Sequence, residues 1–423
     1  MSARSEVAVI GGGVAGVAAA YLLSRRHHVT LFERNAYVGG HTLTVTVSDG
    51  PDAGTPVDMG FIVLNDRTYP LLHSLLSEWG VKWRWADMSF GYWDEASGLM
   101  YAGKDFDSLF AQRRNLLRPS YWRLLADIVR FGNRARADLR AGSFGQRTLG
   151  RWLEDGGFGP DLARHYVVPM GSAIWSAPLG ELLDFPAELF ARFFDNHGLL
   201  DLRDRPRWQT IPGGSHSYVK AFLKLFPGDV FTESPVASLR RKPASAVVRL
   251  ADGRERRFDA AVVAAHADEA LALLADPTPE ERRLLGAWRY HPNRVVLHDD
   301  ASVLPPERRA WASWNYRRPA CPSAGATLTY DMTHLQGLKT RGRWCVTLNE
   351  DRDLRGTVRS LSLHHPAFTF ESARTQPALA SLNGIRRTWF CGSYFGYGFH
   401  EDAVRSAFAA AESLEKSDLG VPA

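Results

Sequence analysis

The 423 residues are 45% hydrophobic and 23% charged, which excludes a disordered or fibrous chain, and the length exceeds one ordinary core, so two domains are expected. The net charge is +5, but no nucleic-acid-binding motif accompanies the basic residues, so nucleic acid is not expected as a partner. No run of eighteen apolar residues can form a bilayer-spanning helix, Met1–Ser5 lacks an apolar signal core, and Cys321, Cys345 and Cys391 show no metal-ligand spacing, so a reduced cytoplasmic protein without a metal site is expected.

In chain order, Val7-Ala8-Val9-Ile10 reads as a buried strand. Gly11, Gly13 and Gly16 follow in GxGxxG spacing and open an Ala-rich helix through Val14 and Ala15. Gly11 suits the tight turn, Gly13 the approach of a pyrophosphate, and Gly16 close packing of helix on strand. The helix start offers N–H groups and a partial positive charge to a diphosphate. A second strand, His28–Phe32, ends at Glu33, placed to accept hydrogen bonds from ribose hydroxyls. This order of strand, glycines, helix, strand and carboxylate predicts dinucleotide binding without separating NAD from FAD. Gly39 and Gly40 follow, a pair that lets a second loop close over the diphosphate, then His41, expected to be neutral at pH 7.

Leu43, Val45 and Val47 alternate as a strand, and Val57–Val63 is an apolar segment broken by Gly60. Tyr69–Trp79 has helical spacing and ends at Gly80. Phe90–Trp93 and Leu99–Tyr101 around Gly98 predict a hairpin. Helical segments are expected to about residue 200, interrupted at Pro169–Ser176. Within them, residues 113–140 carry eight Arg against two Asp, interleaved with apolar residues. This basic amphipathic stretch reads either as a solvated helix face over a core or as a contact with an anionic membrane. A helix is expected over about 217–225, a hairpin around Asp252-Gly253, and a parallel-sheet strand over Phe258–Ala265. Alternation around Trp314, Tyr316 and Tyr330 indicates a further sheet. Near the far end, Thr388–Ser393 and Gly396–Ala407 form a second strand, glycine turn and helix start, able to aim a helix dipole at the electron-rich edge of a flavin.

The extension Glu33-Arg34 to Gly39-Gly40-His41 together with the far-end motif resembles the flavin amine oxidase superfamily, which includes monoamine oxidase, phytoene desaturase and protoporphyrinogen oxidase. The wording of Gly60-Phe61-Ile62-Val63, Trp311–Tyr316 and Gly396–Asp402 is closest to its bacterial predicted NAD/FAD-binding branch, some members of which are associated with methyl-branched and furan fatty acids. The resemblance implies an α/β fold: a discontinuous Rossmann-like FAD domain (1–80, 205–275, 385–423) and a substrate domain of helices and mixed sheet (81–204, 276–384). It also implies non-covalent FAD, since no Cys or His stands in a covalent-flavin position. Cofactor contacts are then expected at Gly11, Gly13, Val14, Ala15, Gly16, Glu33, Arg34, Gly39, Gly40 and His41. Further ones are expected at Met59, Gly60, Phe61, Ile62, Val236, Gly392, Ser393, Gly398, Phe399, His400, Glu401 and Ala403. Three departures stand out: His41 replaces a basic residue, Ser393 an acidic one, and Phe399-His400 a Tyr-Met pair. For Glu401, capping first-turn N–H groups competes with a site role. His400, Tyr316 and Tyr330 are the candidates nearest the chemistry. The implied activity is FAD-dependent oxidation or desaturation of a hydrophobic substrate, a fatty acyl lipid, with a small-amine oxidase and a non-redox isomerase or scaffold as alternatives. An acyl substrate would suit a peripheral position on the inner face of a membrane.

Overall fold

The computed structural model describes residues 4–176, 180–201, 205–321 and 325–417. A five-stranded parallel sheet lies at its centre, in the order Asp229–Phe231, His28–Phe32, Glu6–Ile10, Ala260–Val263, Thr388–Phe390. The central strand pairs on both sides in register, Val7 with Val29 and with Ala260. Such strands are buried on both faces, which explains their unbroken apolar runs.

One face, carrying Val7, Val9, Val29, Leu31 and Val262, packs under the helices Val14–Leu23, Pro70–Glu78, His216–Leu225 and His400–Lys416. The first and last of these run along each other, and the cluster they share includes Ala18, Ala19, Ala403, Ala407 and Ala410, small residues that permit close approach. The opposite face, with Ala8, Ile10, Ala261 and Val263, meets a three-stranded antiparallel sheet, Val236–Lys242, Ser245–Leu250 and Glu255–Phe258. The apolar alternation of residues 246, 248 and 250 covers this second face with strands.

The second half of the molecule is built on a seven-stranded sheet ordered 359–367, 289–298, 345–348, 327–331, 314–318, 90–94, 99–102. The hairpin Phe90–Ala102 joins it by parallel pairing of Trp314 with Phe90. Among the described residues the helices Pro119–Ala141, Leu149–Asp155, Val168–Trp175 and Ala187–Asn196 belong to this half, and Val168–Trp175 contacts the strands 314–318 and 359–367. The interruption expected at Pro169 is absent. Pro169 lies in the first turn of Val168–Trp175, where no N–H is required, and a π-turn at Ala163–Val167 leads into it. Asp58 ties the halves together. Its buried carboxylate accepts from Thr44 Oγ1, from Ser215 N and Oγ, and from Gln336 Nε2 at 2.8 Å. Burial pushes it up to about 7 despite these donors. No described helix is long and apolar enough to cross a membrane.

Candidate active site

A continuous cavity of about 1610 Å³ runs from the glycine turn of the parallel sheet to the seven-stranded sheet and the helices above it. Pockets for a single small ligand are roughly 300–1,000 Å³, so this one has room for a dinucleotide and a second molecule.

Its first end is main chain. Gly11 has φ +103°, and its N–H donates to the Phe32 carbonyl at 2.8 Å. A Cβ there would lie 2.5 Å from the Ala264 oxygen, and one at Gly16 would lie 1.8 Å from the Gly11 oxygen. Gly13 is different: a Cβ would meet nothing within 4 Å, so its backbone faces open cavity at the N-cap of the helix Val14–Leu23. The first N–H groups of that helix lack intrahelical partners. Gly39 bridges to Gly13, donating to the Gly12 carbonyl at 2.8 Å, and Gly40 has φ +56°. Glu33 is aimed by two backbone donors at 2.8 Å, Gly12 N and Asn35 N. Each oxygen keeps a lone pair for a hydroxyl on the cavity side.

His41 sits beside this cradle with Nε2 donating to the His364 carbonyl at 3.1 Å, and with His266 and His365 rings within 6 Å. Burial first, and then the neighbouring His365, His266 and His400, hold it well below its usual range, so it is neutral as expected. Arg34 also lines the cavity, and it pairs with Glu269 at 2.8 Å.

At the opposite helix start, Gly392, Ser393, Gly398, Phe399, His400 and Ala403 all line the cavity. The His400 ring stacks on Phe61 at 3.7 Å, and its Nε2 bonds Thr42 Oγ1 at 3.0 Å. Burial lowers it to about 3, so it is neutral at physiological pH and off the range of an efficient proton carrier. Met59, Gly60, Phe61, Ile62 and Val236 complete the wall, together with Gly11, Gly13, Val14 and Ala15. The indole N–H of Trp314 and the hydroxyl of Tyr394 are buried at this wall without a protein partner. Open glycine backbone, an aimed carboxylate and unpartnered donors on one cavity fit a dinucleotide cofactor.

Three expected residues are not on the wall. Gly16 lies behind the turn, where it permits contact with Gly11. Glu401 faces away: Oε1 and Oε2 accept from Leu71 N and Leu72 N, each at 3.0 Å, capping the helix Pro70–Glu78. Tyr316 shares a strand face with Trp314, but it is covered by Tyr92, stacked at 6.0 Å, and by the helix Val168–Trp175. Tyr330 is on the wall, edge-on to Trp314 at 5.3 Å, its hydroxyl pushed up by burial.

The far end of the cavity is made of side chains from several segments, of which the sequence pointed to the stretch 185–197 alone as a source of pocket lining. Phe90 comes from the hairpin and Met88 from the residues just before it, Leu125, Ile128 and Val129 from the long basic helix, and Tyr166, Met170 and Ile174 from the π-turn and the helix after it. Phe193 and His197 stack at 3.9 Å on the next helix, and burial lowers His197 to about 4. The signal available for these was helical periodicity, which marks an apolar stripe without saying whether it meets core or cavity. Among the described residues the wall carboxylates are Glu33, Asp105 and Glu269. Glu33 is bound as above, Glu269 pairs with Arg34, and Asp105 caps the helix Phe106–Leu109.

A family model described as flavin containing amine oxidoreductase matches residues 14–306. The carotenoid phi-ring synthase of Streptomyces griseus is 29% identical over 291 residues, 65% of this chain. The chain spans 54% of that relative's length. Among solved structures, cyclohexylamine oxidase from Brevibacterium oxydans IH-35A superposes with a TM-score of 0.72 at 16% identity, covering 98% of this chain and 100% of that one. A CLA-producing fatty acid isomerase from P. acnes does so with a TM-score of 0.68 at 14% identity, covering 96% and 98%. At such identities the likeness is one of fold.

Proposed function

This chain belongs to the flavin-containing amine oxidoreductase family and takes FAD as its cofactor; from that premise we propose that it oxidises or desaturates a long apolar substrate, a fatty acyl lipid. Bound FAD supplies the two-electron acceptor. In this reading Gly11, Gly13, Val14, Ala15, Gly39, Gly40 and Glu33 hold diphosphate and ribose, with Arg34 and His41 beside them and Val236 toward adenine. Met59 to Ile62, Gly392, Ser393 and Gly398 to His400, with Ala403, surround the flavin end. The protein's own part is to orient the chain and exclude water.

The observation that carries the reading is the apolar far end of the cavity, where, among the described residues, the wall carboxylates Glu33, Asp105 and Glu269 are each engaged elsewhere and none is left to receive an ammonium group. A cation buried there would stand unpaired. Support of a second kind comes from two similar proteins, whose names refer to a carotenoid and a fatty acid, both long and apolar. A peripheral contact of the stretch 113–140 with an anionic membrane belongs to the same reading.

Anaerobic mixing of the holoprotein with acyl lipids and with small amines tests it. Bleaching of the flavin by an acyl lipid is expected. Bleaching by an amine alone overturns the acyl reading, and conversion of an acyl lipid without net oxidation makes the protein an isomerase.

A further inference from the structure

Among the described residues, four of the large apolar side chains left in solvent fall within residues 106–122, while others, such as Trp85, Leu225 and Ile385, stand apart. Leu117 is 88% exposed, Phe106 64% and Trp122 47%, with Leu116 beside them. They form one patch: the Phe106 ring lies 4.7 Å from Phe110, Phe110 lies 5.2 Å from Trp122, and the Trp122 indole donates to the Leu116 carbonyl at 3.0 Å. A monomer that leaves a contiguous group of large apolar residues in water is marking an interaction surface.

Two further features say what it meets. The first is continuity with the cavity. On the helix Pro119–Ala141, residues 122, 125 and 129 are spaced three and four apart and so fall on one stripe. Trp122 is in the patch, Leu125 is on the cavity wall, and Val129 is both on the wall and 43% exposed, so it stands at the mouth. Lys104, Asp105 and Leu109, which flank Phe106, are also on the wall. The patch and the mouth are therefore neighbours.

The second is charge. From 104 to 123 there are five basic residues, Lys104, Arg113, Arg114, Arg118 and Arg123, against Asp105 and Asp107. Arg113, Arg114 and Arg123 are exposed. Farther along the helix Arg130, Arg134 and Arg136 serve the protein itself, while Arg140 is exposed. Arg130 bonds Asp127 and the carbonyls of Gly156 and Gly157, Arg134 pairs with Asp138 over the Trp152 ring, and Arg136 pairs with Asp201. Around the patch Lys104 pairs with Asp87, Arg113 with Asp107, Arg114 donates to the Gly98 carbonyl and Arg118 to Asn115 Oδ1, and the stretch keeps an excess of positive charge beside the apolar side chains. Apolar side chains ringed by cations match an anionic lipid surface, which takes both.

We propose that Phe106, Leu116, Leu117 and Trp122 dock this protein on an anionic bilayer and hold the cavity mouth against the lipid. The docking stands on the patch alone; the passage of an acyl chain from bilayer to cavity rests on the substrate reading above. The test is co-sedimentation of the holoprotein with vesicles of saturated phosphatidylcholine, with and without phosphatidylglycerol. Binding to the phosphatidylglycerol vesicles is expected, reduced about tenfold or more in Leu117→Glu and in Trp122→Glu. Both variants should keep their flavin, and Leu117→Glu, whose side chain is almost fully exposed, should also keep its melting temperature. The double variant Arg130→Gln/Arg134→Gln should bind as the wild type does. Wild type that stays in the supernatant, or Leu117→Glu that pellets equally well, overturns the proposal. So does a dimer in sedimentation velocity that Leu117→Glu converts to monomer without any vesicle binding, which would make the patch a self-association surface. Vesicle binding with no flavin bleaching by any acyl lipid would retain the docking and remove the substrate reading.

Discussion

At its glycine end the cavity is walled by backbone from short, local stretches, and at its apolar end by side chains from helices and strands far apart in the chain. The first is intolerant of an added carbon, as at Gly11 and Gly16, where a Cβ would meet backbone oxygen. The second is a layer of interchangeable apolar groups such as Met170, Ile174 and Leu125. A backbone wall suits a cofactor of fixed shape, because no rotamer change can adapt it. A side-chain wall can be retuned for one long substrate or another by substitution alone.

Breaking the backbone end should have the largest effect. Gly16→Val places a branched side chain against the Gly11 carbonyl, which only movement of the helix can relieve. It should cost about 3 kcal/mol and yield colourless protein, read from the flavin-to-protein absorbance ratio and the melting curve. Glu33→Ala leaves Gly12 N and Asn35 N without their acceptor and removes the ribose-facing carboxylate. FAD affinity should fall about 10- to 100-fold, measured by calorimetric titration of the apoprotein.

The histidines that join the two ends provide a pH test. Burial holds His197 and His365 at about 4 and His400 at about 3. The unfolded chain binds protons at these groups below about 6.5, while the folded protein does not until near 4. Their stabilising effect is therefore complete above pH 6.5 and is lost as pH falls towards 4. Between pH 6.5 and 5 the loss should reach up to about 2 kcal/mol per histidine. Denaturant titrations of His197→Phe at the two pH values should show a shallower loss than wild type.

Glu401→Gln sharpens the boundary of the cofactor site. If Glu401 only caps the helix Pro70–Glu78, stability falls by about 1 kcal/mol and FAD affinity does not change. A changed affinity would return Glu401 to the site. Met170→Leu, at the side-chain end, should cost less than about 1.5 kcal/mol and leave flavin content unaltered, as chemical denaturation and absorbance would show.

What the sequence alone determined is the local part: strand, glycine turn, helix and carboxylate within residues 6–33, the second such turn near 392–400, and the helices at 70–78 and 216–225. Each depends on backbone freedom, apolar period or spacing among near neighbours, and these properties are written in consecutive residues. Tertiary structure alone decided the rest. Tyr316 and Trp314 share one strand face, yet a helix covers the first and a cavity opens beside the second. Glu401 stands two residues from the wall residue Ala403, yet its carboxylate meets a helix 329 residues away in sequence. Leu125 and Leu124 read alike as apolar, and one lines the cavity while the other is buried in core. Periodicity fixes which side chains share a face; what that face meets is set by the packing of segments hundreds of residues apart, and no local pattern encodes it.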